Sequence, residues 1–244
     1  MEIMGEAPHF FVDAVDQATV ADVRRLVASE GLRLGLHAPL SDTNPVSPNP
    51  GIRHETRRQL LRCVELLAAM GGTAMVVHFG YKCPFGLLDP SRLPDLFADS
   101  VGPVLERARA AGVRVLLENN PRFPLAFVQD AEEVLAVLAR HPDLAVCLDV
   151  AHAHTLGPDG ARAAAAALAP RVESVHVSDN AGDRDSHLPL GEGSLPLVPV
   201  VAALEAAGYR GPYILESKDA AAAEGDRVRL TQALEAAQGA TPAP

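Results

Sequence analysis

Six times along this chain a short aliphatic run gives way to a polar turn and then to an amphipathic helix that stops near glycine. The runs are "LRLGLH" (32–37), "AMVVHF" (74–79), "VRVLLE" (113–118), "LAVCLD" (144–149), "VESVHV" (172–177) and "YILE" (213–216). Helix endings such as "AAMGG", "RARAAG" and "VLARHPD" come just before several of them. The units recur at roughly 30 to 40 residues, the rhythm of βαβ units in a parallel sheet. Aliphatic runs without polar alternation read as strands buried on both faces. "MEIMGE" at the start supplies a seventh strand if it is one.

Each run carries, as its last residue or the last but one, a residue able to bind a metal or move a proton: His37, His78, Glu118, Asp149, His176 and Glu216. In a parallel α/β barrel the C-terminal strand ends converge on one face, where active sites sit. His152, in "DVAH", and Asp185 and His187, in "DRDSHLPLGEG", follow shortly after strand ends. Five of the nine histidines fall in this set, a concentration that carries more weight than any single residue. Imidazole and carboxylate suit Zn²⁺, Mn²⁺ and Co²⁺. Two glutamates from separate strands, Glu118 and Glu216, can remove and return a proton beside a polarised carbonyl. Plainer roles compete with these. Asp149 can be a helix N-cap, His154 a structural residue or one that supports a ligand from behind, and "LGEG" a tight turn. His9, His54 and His141 read as surface residues, with His141-Pro142 a helix stop.

The net charge of −10 argues against a large basic footprint for nucleic acid, although bound cations would offset an acidic cluster. The three cysteines, Cys63, Cys83 and Cys147, are scattered and odd in number, which fits a reducing compartment. No stretch approaches the roughly 20 apolar residues that span a bilayer, and "MEIMGEAPHF" lacks the layout of a signal peptide. A cytoplasmic location is expected, without membrane association.

The ordered set "HAPL", "VVHFG", "LLENN", "CLDVAH", "VHVSDN", "DSHLPLGEG" and "ILES" resembles the xylose isomerase-like TIM barrels, which include sugar-phosphate isomerases, epimerases and endonuclease IV. The expected fold is an α/β, TIM (β/α)8-type barrel lacking the first β/α unit. It forms a single domain over residues 1–238, with a flexible C-terminal tail at 239–244. In the epimerase branch one divalent metal is held by residues matching Glu118, Asp149, His176 and Glu216, the two glutamates being the acid/base pair. His152 and Asn119 or Asn120 would then bind substrate. The resemblance implies an isomerase or epimerase acting on a small sugar, sugar phosphate or polyol-derived ketone.

The alternative is a tri-zinc phosphodiesterase acting at abasic sites in DNA, whose ligand set also matches His37, His78, His152, Asp185 and His187. Against it stand Leu40 where the nuclease branch has an aromatic residue, the absence of Trp, and loops after His37 and His78 nearly without positive charge. Bending DNA to expose a nucleotide calls for wedge residues and phosphate contacts. A third reading is a non-catalytic or partner-dependent barrel. An incomplete barrel leaves a sheet edge that a second copy, in a homo-oligomer, would cover.

Overall fold

The computed structural model describes residues 1–82 and 89–239. Cys83 and residues 240–244 of the expected tail lie outside the described residues; Gly239 itself closes the last helix. The strands are β1 (Glu2–Met4), β2 (Gly35–His37), β3 (Ala74–His78), β4 (Arg114–Glu118), β5 (Ala145–Asp149), β6 (Val172–Val177) and β7 (Tyr213–Leu215). The helices are α1 (Gln17–Ser29), α2 (Pro50–Met70), α3 (Leu93–Ala111), α4 (Ala131–Arg140), α5 (Val150–His154), α6 (Gly160–Leu168), α7 (Leu197–Ala206) and α8 (Ala223–Gly239). Strand order follows chain order from β1 to β7, so the opening "EIM" is a strand, as its sequence allowed. Among the described residues no helix is long and apolar enough to cross a membrane.

The chain falls into two compact units. The first comprises Met1–Leu117 with Val137–Ala145. In it β1, β2 and β3 pair in parallel, with His37 opposite Met4 on one side and Val76 on the other. The helix α2 starts where Asn49 accepts from the Gly51 N–H and Pro50 presets the first turn, and it stops at Gly71 in the left-handed region (φ 83°). Its Leu60, Cys63, Val64, Leu67 and Met70 are buried, on the spacing of one helical face. Gly72 follows because a Cβ there would sit 2.1 Å from Leu67 Cδ1 and 2.9 Å from the Leu34 carbonyl. The fully buried Phe97 of α3 stacks on Phe79 at 4.5 Å and meets the His141 ring edge-on at 5.5 Å. His141 is therefore half-buried, a correction to its reading as a surface residue, whereas His9 and His54 are exposed.

The second unit comprises Glu118–Ala136 and the chain from Val146 onward. Here β5, β6 and β7 pair in parallel, placing Asp149 opposite His176 and His176 opposite Ile214. The main chain of Glu216 continues the ladder past β7 by donating to the Val177 carbonyl at 3.0 Å. Leu148, Val175, Leu168 and Leu204 have no exposed surface. Leu148 and Val175 alternate along their strands with Asp149 and His176, so they face the opposite side of the sheet.

Candidate metal centre

Four of the strand-end residues meet in the second unit. Ligand atoms of Glu118, Asp149, His176 and Glu216 all lie within 4.8 Å of one another. The His176 Nδ1 is 3.2 Å from Glu118 Oε1 and 3.0 Å from Glu216 Oε1, so the two glutamates converge on one imidazole edge. The cross-strand pairing of Asp149 with His176 sets the other edge of the group. Glu118, Asp149 and His176 are almost fully buried, and the Glu216 side chain keeps 20% exposure, the open side from which a small molecule could enter.

Asp149 is a helix N-cap as well as a member of this group. Its Oδ1 accepts from the His152 N–H at 2.6 Å as the N-cap of α5. Its Oδ2 is buried without a hydrogen-bond partner, with His152 Nε2 3.6 Å away. Burial is the main force raising the Asp149 carboxyl to about 6, with Glu118 and Glu216 adding to it.

His152 joins this group to a second. Its Nε2 stands 3.4 Å from Asp185 Oδ2, and the same oxygen lies 2.8 Å from His187 Nε2. His152, Asp185 and His187 thus offer ligand atoms within 4.8 Å of one another. Burial pushes the His152 imidazole down, but Asp149, Asp185 and Glu118 together outweigh it and lift the group to about 10. For His176 burial is likewise outweighed, by Cys147, Glu118 and Glu216. The Asp185 hydrogen bond raises His187, while Asp185 itself is held low against burial by its two histidine neighbours.

Burial and the neighbouring carboxylates thus act on these imidazoles in opposite directions. A divalent cation would compete with protons for the same nitrogens, because a ligating imidazole must be unprotonated. Two buried carboxylate oxygens, Asp149 Oδ2 and Asp185 Oδ1, lack hydrogen-bond partners, and such groups are costly unless a cation is there. The donor set of imidazoles and carboxylates fits a divalent ion of the zinc or manganese kind.

The first unit holds the remaining pair. His37 donates from Nδ1 to the Ala38 carbonyl at 2.9 Å, which turns its Nε2 toward His78 Nε2 at 3.3 Å. Asn119 and Asn120, expected at the substrate, have their carboxamides on main chain: Asn119 on Asp149, and Asn120 donating to the Phe127 carbonyl at 2.6 Å.

Sequence reasoning passed over Asp179, which is buried and gathers three main-chain N–H groups. Asn180 and Leu195 donate to Oδ1 at 2.8 and 2.9 Å, and Gly191 to Oδ2 at 2.8 Å. "LGEG" is a tight turn as well as part of a motif, and Asp179 holds it. Asp226 assists by accepting from the Leu190 N–H at 2.8 Å. The available signal was a carboxylate two residues past a strand facing a G-x-G segment. His154, read as structural, pairs its Nε2 with Ser194 Oγ at 3.0 Å away from the ligand groups.

A family model described as xylose isomerase-like TIM barrel matches residues 1–238. The chain is 29% identical over 187 residues to the uncharacterized protein MJ1311 of Methanocaldococcus jannaschii, covering 75% of this chain and 64% of that protein, less than two thirds of its length. It is 28% identical over 207 residues to a probable endonuclease 4 of Mycobacterium leprae, covering 82% of this chain and 77% of that one. Among solved structures, a D-tagatose 3-epimerase-like protein is 26% identical and superposes with a TM-score of 0.89, over 98% of this chain and 89% of the other.

Proposed function

The chain belongs to the xylose isomerase-like TIM-barrel family, and from that premise we propose that it is a divalent-metal-dependent isomerase or epimerase of a small sugar, sugar phosphate or polyol-derived ketone. One observation carries this reading: Glu118 and Glu216, from different strand ends, converge on His176 Nδ1 at 3.2 and 3.0 Å. Glu118, Asp149, His176 and Glu216 would hold one ion. When bound, such an ion polarises a carbonyl and stabilises negative charge on its oxygen.

The protein's own residues do the proton work. One glutamate takes the proton from the carbon next to the carbonyl, and the electron pair of that C–H bond moves toward the carbonyl oxygen. The other glutamate returns a proton to the same carbon from the opposite side, which inverts it, and each carboxylate ends in its partner's starting state. A positioned general base contributes about 10²–10⁴-fold. His152, with Nε2 toward the same space, orients substrate hydroxyls. The likeness to the D-tagatose 3-epimerase-like structure supports this chemistry over others the fold can host. Turnover of a ketose panel by the metal-loaded chain and its loss in Glu216→Gln test the proposal; full turnover in that variant would refute it.

The group His152, Asp185 and His187 favours a second reading, phosphodiester hydrolysis at abasic sites with three zinc ions, and so does the likeness to a probable endonuclease 4. Cleavage of an abasic duplex that fails in His78→Ala would select it, since the single-ion scheme makes no use of His78.

A further inference from the structure

We propose that Asn119 is a positioning residue for the metal centre, acting through Asp149 and His152 and not through the substrate. The inference rests on the metal-dependent reading above. Asn119 is 1% exposed and follows Glu118 at the end of β4. Its side-chain Oδ1 accepts from the Asp149 N–H at 2.9 Å, and its Nδ2 donates to the Asp149 carbonyl at 2.9 Å. One carboxamide thus occupies both main-chain groups of a ligand residue, as a paired strand would. Both polar atoms are thus engaged by the Asp149 main chain.

The Asn119 carbonyl does a second task. It accepts from His152 Nδ1–H at 2.7 Å, leaving Nε2 as the nitrogen that faces Asp149 and Asp185 at 3.6 and 3.4 Å. Which nitrogen of a histidine faces a site is generally set by the hydrogen bond the other one makes. The arrangement is braced from behind. Thr155, also 1% exposed, donates to the His152 carbonyl at 2.6 Å and accepts from the Arg122 N–H at 2.7 Å. Residues 119–122 and 149–155 are therefore stitched at three levels, and Asn119 bonds to both Asp149 and His152.

The test uses the full chain with Zn²⁺ alone as the probe, comparing wild type with Asn119→Ala and, should that variant fold poorly, Asn119→Ser, too short to reach both groups. Zinc affinity, read by competition with a chromophoric chelator, is expected to fall about 10–100-fold. In the metal-free protein, hydrogen exchange at the Asp149 amide is expected to accelerate while Cys147 and Leu148 stay protected. A folded variant with unchanged zinc affinity and an unchanged Asp149 amide would overturn the proposal. Wild type that binds no zinc would sink the metal reading instead, and the exchange measurement would then decide on its own whether Asn119 holds Asp149.

Discussion

His187 donates from Nδ1 to the main-chain carbonyl of Glu216 at 2.9 Å, tying the loop after β6 to the end of β7. The tie is doubled, because Lys218 N–H donates to the His187 carbonyl at 3.0 Å. His187 sits at φ 49°, a conformation that opposes most side chains and that Asn tolerates better than branched residues. His187→Asn is expected to stay within about 1 kcal/mol of wild type, and His187→Val to lose about 2 kcal/mol more. Denaturant unfolding of both variants checks this; equal stabilities would mean the backbone relaxes there.

Glu118→Gln and Glu216→Gln each keep the shape of the side chain and remove its basicity. Turnover on any ketose that proves to be a substrate should fall about 10²–10⁴-fold in both, with little change in the melting temperature. A variant that lost only apparent affinity would place that glutamate in binding and not in proton transfer.

Gly193 lies where a Cβ would come within 2.3 Å of Asp179 Oδ1 and 2.4 Å of the Asn180 carbonyl. Neither atom can withdraw without breaking the bonds that hold the turn. Gly193→Ala should destabilise by about 1–3 kcal/mol and loosen the loop that carries Asp185 and His187. Thermal unfolding reads the first effect, and hydrogen exchange at the Gly191 and Leu195 amides reads the second.

Burial, with a smaller push from Arg140, holds the His141 imidazole below its ordinary 6.5; its Nε2 is buried without a hydrogen-bond partner. The folded state therefore prefers the neutral ring. That preference contributes fully above the unfolded value and is lost as pH falls through the lowered folded one, because the unfolded chain takes the proton first. His141→Leu should remove this dependence. The melting-temperature advantage of wild type over the variant should shrink from pH 7.5 to pH 5, by less than roughly 4 °C. An advantage constant across that range would show that His141 does not titrate with unfolding.

Much of this was legible because parallel strands are short, apolar and capped by their functional residue. His37, His78, Glu118 and Asp149 coincide with the ends of β2 to β5, and His176 is the last residue but one of β6. Glu216 lies one residue beyond β7, where a single main-chain bond continues the ladder. What stayed hidden depends on contacts distant in sequence. His141 looked like a helix stop, and it is one, but only the position of Phe97 on α3 shows that its ring is covered. Asn119, next to Glu118 at a strand end, looked like a substrate ligand. That its carboxamide is spent on Asp149, thirty residues away, is a fact of strand pairing that residue type does not encode. Asp179 escaped notice for the same reason, since its partners at Gly191 and Leu195 lie across a loop.

The most direct measurement of the central claim is solvent exchange at carbon. The chain, loaded with Mn²⁺ or Zn²⁺, is incubated in D₂O with a panel of ketoses, and deuterium beside the carbonyl is followed by NMR. Proton transfer by Glu118 and Glu216 predicts incorporation with at least one ketose, abolished by chelator and by Glu216→Gln. No incorporation with any sugar, together with metal-dependent cleavage of an abasic duplex by the same preparation, would contradict it.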